Sequence, residues 1–130
     1  MTHKAFDTVL IDPINRTVTK VHYRGEYKHI YELIDAKCYD CARINKHGDG
    51  LFVDDEGLFK EEQAFFLHAD YPQPLAGKAL LLGCDMEDGE TVAPHDTLED
   101  TIAKVQWVRP ASLNGHVIWF DQNGKVVQIP

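Results

Sequence analysis

His116-Val117-Ile118-Trp119-Phe120-Asp121-Gln122-Asn123-Gly124-Lys125-Val126-Val127-Gln128-Ile129 is the stretch that decides the fold class. Two runs rich in β-branched and aromatic residues flank Asn-Gly, the dipeptide that best tolerates the positive φ angles of a tight hairpin turn. Such a segment pairs antiparallel with its own continuation and needs no helical crossover. At the other end of the chain, Phe6–Ile11 and Thr17–Tyr23 read as two strands joined by a short turn from Asp12 to Arg16, where Pro13 removes a backbone donor. Cys38–Asn45 and Leu51-Phe52-Val53 form a third candidate hairpin around the turn-forming cluster Lys46-His47-Gly48-Asp49-Gly50.

Helical periodicity is confined to two places. Tyr27, Ile30, Tyr31 and Ile34 fall at i, i+3, i+4 and i+7 after Gly25, with Glu26, Lys28, His29 and Glu32 on the other side. Thr97 is placed to cap a helix that starts at Leu98, with Asp100 in the capping-box position and Leu98, Ile102 and Val105 sharing a face. Between them, Ala79-Leu80-Leu81-Leu82 is bracketed by Gly77 and Gly83 and reads as a central strand covered on both faces. Asp85–Asp96 is polar and acidic and is expected to be a mobile loop. Hairpins outnumber crossovers. The expectation is one α+β domain over residues 1–130, a mainly antiparallel sheet of about six or seven strands with two short helices on one face.

The charge narrows the range of partners. Thirteen Lys and Arg against twenty-one Asp and Glu leave a net charge of −8, with no dense basic run. Phosphate backbones and anionic bilayers repel such a surface, which excludes general nucleic-acid binding and membrane attachment. A small anionic ligand in a local pocket, or a basic protein partner, remains open, as does mimicry of DNA by ordered carboxylates. The longest apolar run is far shorter than the ~20 residues of a membrane span. Three cysteines, Cys38, Cys41 and Cys84, make an odd set, and no apolar leader follows Met1, so a reducing, cytoplasmic setting is expected. Exposed hairpin edges make self-association plausible.

Val9-Leu10-Ile11-Asp12-Pro13, the short helix near Tyr31, Leu51-Phe52-Val53-Asp54-Asp55-Glu56-Gly57, and Leu75-Ala76-Gly77 leading into Leu80-Leu81-Leu82-Gly83 carry a resemblance. Over a little more than half its length the chain resembles a family of small uncharacterised proteins of bacteriophages, prophages and plasmids. The resemblance implies a small accessory protein of a mobile element that acts on host factors, in the host cytoplasm if phage-encoded. It carries no catalytic residues, and the segment from Glu87 onward lies outside it.

The motifs with chemical potential are short of partners. Cys38-Tyr39-Asp40-Cys41 has C-x-x-C spacing, but a structural zinc site needs four ligands and there is no second pair. On a strand, positions i and i+3 also point to opposite faces. Asp54-Asp55-Glu56-Gly57 lacks the alternating oxygen ligands of a calcium loop, since Leu58 and Phe59 interrupt it. The seven histidines show no H-x-x-x-H spacing, and Ser112, the one serine, has no Gly-x-Ser-x-Gly elbow. No catalytic group, metal or cofactor is therefore assigned. The candidate ligand-binding residues are Arg24 and Arg43, which offer planar donor forks, with Tyr27 and Tyr31 beside them; Arg109 near Trp107 is a further possible member. Asp54, Asp55 and Glu56 are the candidate protein-binding residues, together with the acidic 85–96 segment. The expected function is a non-enzymatic binding protein, either sequestering a nucleotide-type signal in counter-defence or blocking a host protein. A Cys/His enzyme site assembled only in three dimensions is the alternative.

Overall fold

The computed structural model describes residues 4–56 and 63–129. In chain order the elements are β1 (Phe6–Asp12), β2 (Thr17–Tyr23), α1 (Tyr27–Ile34), β3 (Tyr39–Arg43), β4 (Gly50–Asp54), β5 (Phe65–His68), β6 (Leu75–Ala76), β7 (Ala79–Cys84), β8 (Thr91–Val92), α2 (Leu98–Lys104), β9 (Val105–Leu113), β10 (His116–Asp121) and β11 (Val126–Val127). Every strand pair is antiparallel, so the fold is α+β and dominated by sheet. Among the described residues the strands number eleven rather than six or seven, and they form two sheets rather than one. The strands not anticipated are short or hidden: β6 and β8 are two residues long, and β9 runs directly on from α2.

The first sheet has the order β2-β1-β7-β4-β3, with β8 continuing the pairing of β7. The glycine-bracketed run is its centre. Leu81 sits opposite Val9 of β1 on one side and Leu51 of β4 on the other. Alternation along β7 then feeds two cores. Ala79 and Leu81 pack with Val9, Ile11, Ala42, Leu51, Val53 and Phe66, while Leu80 and Leu82 pack with Tyr23, Ile30 and Ile34. Each such leucine stabilises the fold by about 1.5–3 kcal/mol through burial alone.

The two faces have different covers. α1 lies over the Leu80–Leu82 face through Ile30 and Ile34. The other face is covered by the second sheet, order β11-β10-β9-β5-β6, through Phe66, Leu75, Val105 and Trp107, and by Leu98 of α2. The helices therefore occupy opposite faces of the first sheet, not one face as expected. A second sheet is what α2 shares its side with.

Local detail follows the chemistry of the residues. In α1 the buried stripe is His29, Ile30 and Ile34, while Tyr27 is 60% exposed and leaves the expected apolar face. Nδ1 of His29 accepts the Arg24 backbone N–H at 2.9 Å, which ties the entry loop to the helix. α1 ends where Asp35 turns into the left-handed region and the Ala36 N–H reaches Tyr31 O. α2 opens on the expected capping box: Asp100 N–H donates to Thr97 Oγ1 and Thr97 N–H donates to Asp100 Oδ2. It stops at Lys104, so Val105 starts a strand instead of closing a helical face. Pro110 lies inside β9 opposite Trp119, beyond the four residues that pair with β5, so its missing N–H breaks no ladder there.

The segment from Asp85 to Asp96 contains a short strand and is hydrogen-bonded to the rest of the fold at both ends. β8 pairs with Gly83 and Cys84, and the Asp85 N–H closes on Glu90 O at 2.8 Å. At its far end the Asp49 carboxylate accepts the backbone N–H groups of His95 and Asp96, both at 2.8 Å. Among the described residues no helix is long and apolar enough to cross a membrane.

Candidate functional site

The four arginines of the chain divide into two pairs. Arg24 bonds Glu32 Oε2 at 3.0 Å, an exposed ion pair along the start of α1. Arg43 donates to the carbonyl of Gly48 across the β3–β4 turn. Their guanidinium groups are engaged at separate places. Tyr27 lies on the helix surface and Tyr31 packs against Tyr39, with ring centroids 5.3 Å apart. No described cavity is lined by Arg24 and Arg43 together.

Arg16 and Arg109 behave differently. Both line one cavity of about 170 Å³ with Phe65, Trp107, Phe120 and Gln122, at the junction of the β1–β2 turn and the second sheet. Among the described residues neither guanidinium makes a hydrogen bond or an ion pair, and Arg109 lies 5.7 Å over the Phe120 ring. Asp121 also borders the cavity, but its Oδ1 is taken by the backbone N–H groups of Asn123 and Lys125. The local chemistry is cationic and aromatic in a protein that is otherwise acidic.

The turn that carries Arg16 is built for position. Asp12 Oδ1 accepts the N–H groups of Ile14 and Asn15, and Asn15 Nδ2 donates to Asp12 Oδ2 at 2.8 Å. The turn closes with Arg16 at φ 55°, a left-handed conformation that glycine or asparagine adopts far more cheaply. A bulky side chain held there at a cost of about 1 kcal/mol is the kind of local strain that marks functional positions.

A second concentration of polar groups is buried between β4, β5 and α2. Asp49, His68 and Asp96 are buried, and Lys104 bridges Asp70 at 2.8 Å and Asp96 at 3.0 Å. These two carboxylates, Asp70 first, push the Lys104 pKa upward. Nδ1 of His68 accepts the Asp70 backbone N–H, so its proton is on Nε2, which has no partner. Burial pushes the His68 pKa down and keeps the ring neutral. His95 and His47 stack at the rim with ring centroids 3.7 Å apart. Two groups, Asp49–His95–Asp96 and His68–Asp70–Asp96, bring ligand-type atoms within 4.8 Å of one another. Their members are up to 47 residues apart in sequence, so no spacing rule could have found them.

No cysteine joins either group among the described residues. Cys38 is exposed outside β3, while Cys41 is half-buried against Gly50, where a Cβ would clash with its Sγ. Burial raises the Cys41 pKa, which makes it a poor nucleophile. Of the candidate protein-binding residues, Asp55 and Glu56 are exposed, whereas Asp54 is buried and its Oδ1 accepts the Glu56 N–H at 2.9 Å. Gly57, Leu58 and Phe59 lie outside the described residues. An acidic cleft of about 480 Å³ lies elsewhere, between Tyr23, Tyr27 and Lys4 on one side and Asp85, Asp88 and Glu90 on the other.

Comparison with known proteins gives one relative to report. The uncharacterised protein y4iR of Sinorhizobium fredii is 33% identical over 104 residues, which are 78% of this chain and 63% of that protein. The chain thus matches less than two-thirds of the relative's length. No family model matches the chain, and no solved structure matches it.

Proposed function

We propose that this chain is a non-catalytic binding protein that holds a small anion, of nucleotide or aromatic-carboxylate type, at the Arg16–Arg109 cavity. The observation that carries this reading is that two arginines without a hydrogen-bond or ion-pair partner among the described residues line one aromatic hollow, in a chain of net charge −8. A planar donor fork recognises phosphate or carboxylate through paired hydrogen bonds, and Trp107 and Phe120 offer faces for a base or ring. At about 170 Å³ the hollow is smaller than the ~300 Å³ of a typical small-molecule site, so it takes the charged end while the remainder lies along its open rim. In the mobile-element setting that the resemblance implies, the role is sequestration of a nucleotide-type signal or a related small anion.

Calorimetry with AMP, a cyclic dinucleotide and inorganic phosphate tests this, using Arg109→Ala and Arg16→Gly. Each charge-assisted bond is worth about 1.5–3 kcal/mol, so each variant should weaken binding by roughly 10–100-fold. Arg16→Gly should change stability by no more than about 0.5 kcal/mol, because relief of the left-handed strain is largely offset by the added freedom of the unfolded chain. Binding that persists in both variants would refute the proposal. A second reading rests on the acidic cleft, which the exposed Tyr27 lines together with Asp85, Asp88 and Glu90. That cleft suits a Lys- or Arg-rich segment of a host protein, and Glu90→Gln with Tyr27→Ala should weaken capture of an arginine-rich peptide if it acts.

A further inference from the structure

Asp49 and Asp96 are more than nine-tenths buried, yet neither is a simple core residue. Asp49 is oriented by three donors, the N–H groups of His95 and Asp96 and the Asn45 side-chain amide at 3.0 Å. Asp96 is oriented by the Lys104 ammonium on its Oδ2, which leaves Oδ1 facing His95 Nδ1 at 3.4 Å. The Lys104 ammonium contacts Asp70 and Asp96 but not Asp49, so the cluster holds three carboxylates to one ammonium. His95 completes it from a side chain that is 58% exposed, which provides an entry path from solvent.

We propose that Asp49, His95 and Asp96 form a site for a divalent transition metal of the zinc, cobalt or nickel type. One imidazole and two carboxylates are a mixed N/O donor set, whereas calcium takes six to eight oxygens and magnesium retains an octahedral oxygen shell. Bonds of ~2.0–2.2 Å place tetrahedral ligand atoms roughly 3.4 Å apart, so the three atoms, now within 4.8 Å, need draw in by at most about 1.4 Å. The exposed His95 ring supplies the larger part of that movement, and the donors on Asp49 and Asp96 orient both carboxylates. Three protein ligands leave a coordination position for water or for a ligand.

The neighbouring group, His68–Asp70–Asp96, is not the site. The Lys104 ammonium already occupies the cation position between its two carboxylates. His68 Nδ1 is taken by the Asp70 N–H, so its free Nε2 carries the proton and cannot ligate without losing it. His47 also stays out of the inner set. Its ring lies within 9° of parallel to His95, and the in-plane lone pairs of parallel rings do not converge on one ion.

Titration of the full, tag-free chain with Zn²⁺ by calorimetry, and with Co²⁺ by its visible d–d absorption, tests the assignment. One equivalent should bind, and His95→Ala should weaken it at least tenfold; the His95 backbone N–H that holds Asp49 survives the change, so the fold is kept. His47→Ala should shift affinity by less than about twofold. Absence of one-to-one binding at about 100 μM free metal, or binding unchanged in His95→Ala, overturns the proposal. So does binding that survives His95→Ala and disappears in His68→Ala, since the ion would then sit in the other group.

Discussion

The two sheets are built from similar residues and are buried very differently. β7, at the middle of the first sheet, is buried from Ala79 to Gly83, with strands on both edges and a core on each face. The β9–β10 hairpin of the second sheet also carries many apolar side chains, but beyond Val108 β9 is exposed through Leu113, as is Val117 across the hairpin. The contrast separates two sources of order. The hairpin is held by its own turn and ladder, whereas β7 is held by partners from distant parts of the chain. The free-standing sheet end is also where the Arg16–Arg109 hollow opens, because only an incompletely covered sheet leaves space beside it.

The largest test of that contrast is truncation at the seam. Leu81→Ala should cost about 2–5 kcal/mol in urea unfolding, since a fully buried leucine leaves both its transfer energy and a cavity behind. A loss under about 1 kcal/mol would show that the first sheet is not the stability centre. Gly83→Ala comes next, at about 1–3 kcal/mol, because a Cβ there would stand 2.6 Å from the Ala93 carbonyl oxygen and 3.0 Å from that of Val92.

A pH test addresses the junction of the sheets, where His68 is buried. Its folded pKa is lowered by burial below the ordinary value of 6.5, so between these two values the unfolded chain binds the proton and the folded chain does not. The contribution is therefore complete above 6.5 and is lost as pH falls from there towards the folded value, with a slope up to about 1.4 kcal/mol per pH unit. His68→Gln should flatten that part of the stability–pH curve. An unchanged slope would mean that His68 is not the group that titrates. The smallest effect belongs to the hairpin: Val117→Ser, at a position 63% exposed, should change stability by less than about 0.5 kcal/mol. Sedimentation of the same variant at high concentration tests whether this apolar end joins copies of the chain.

What could be read from the residues tracks this division. The Asn123-Gly124 turn has Gly124 at φ 81°, and the Phe6–Tyr23 hairpin pairs over its whole length, since both depend on neighbours in sequence. The central place of Ala79–Leu82 was visible because a strand buried on both faces must be apolar at every position. The split into two sheets was not visible, because Val105–Leu113 contains a proline and follows a helix without a break. Of the two arginines without a hydrogen-bond partner among the described residues, Arg109 was visible beside Trp107 and Arg16 was not. Arg24 and Arg43 sit in the more regular surroundings, yet their local partners engage them, while Arg16 looks like an ordinary turn residue until its backbone angle is known. The Asp49–His95–Asp96 grouping exists only once β4 and the segment before α2 are side by side.

The order β2-β1-β7-β4-β3 has a consequence for biogenesis. Two hairpins, residues 6–23 and 39–54, are completed early in synthesis, but the strand that joins them is not finished until residue 84. Until then both nascent hairpins carry an unzipped edge, and joining them is a long-range closure of the kind that slows folding. A ribosome stalled before that strand emerges would present two sticky halves of one sheet, and an arrest peptide joined to residue 84 by a linker long enough to clear the exit tunnel should register the first strong pulling force.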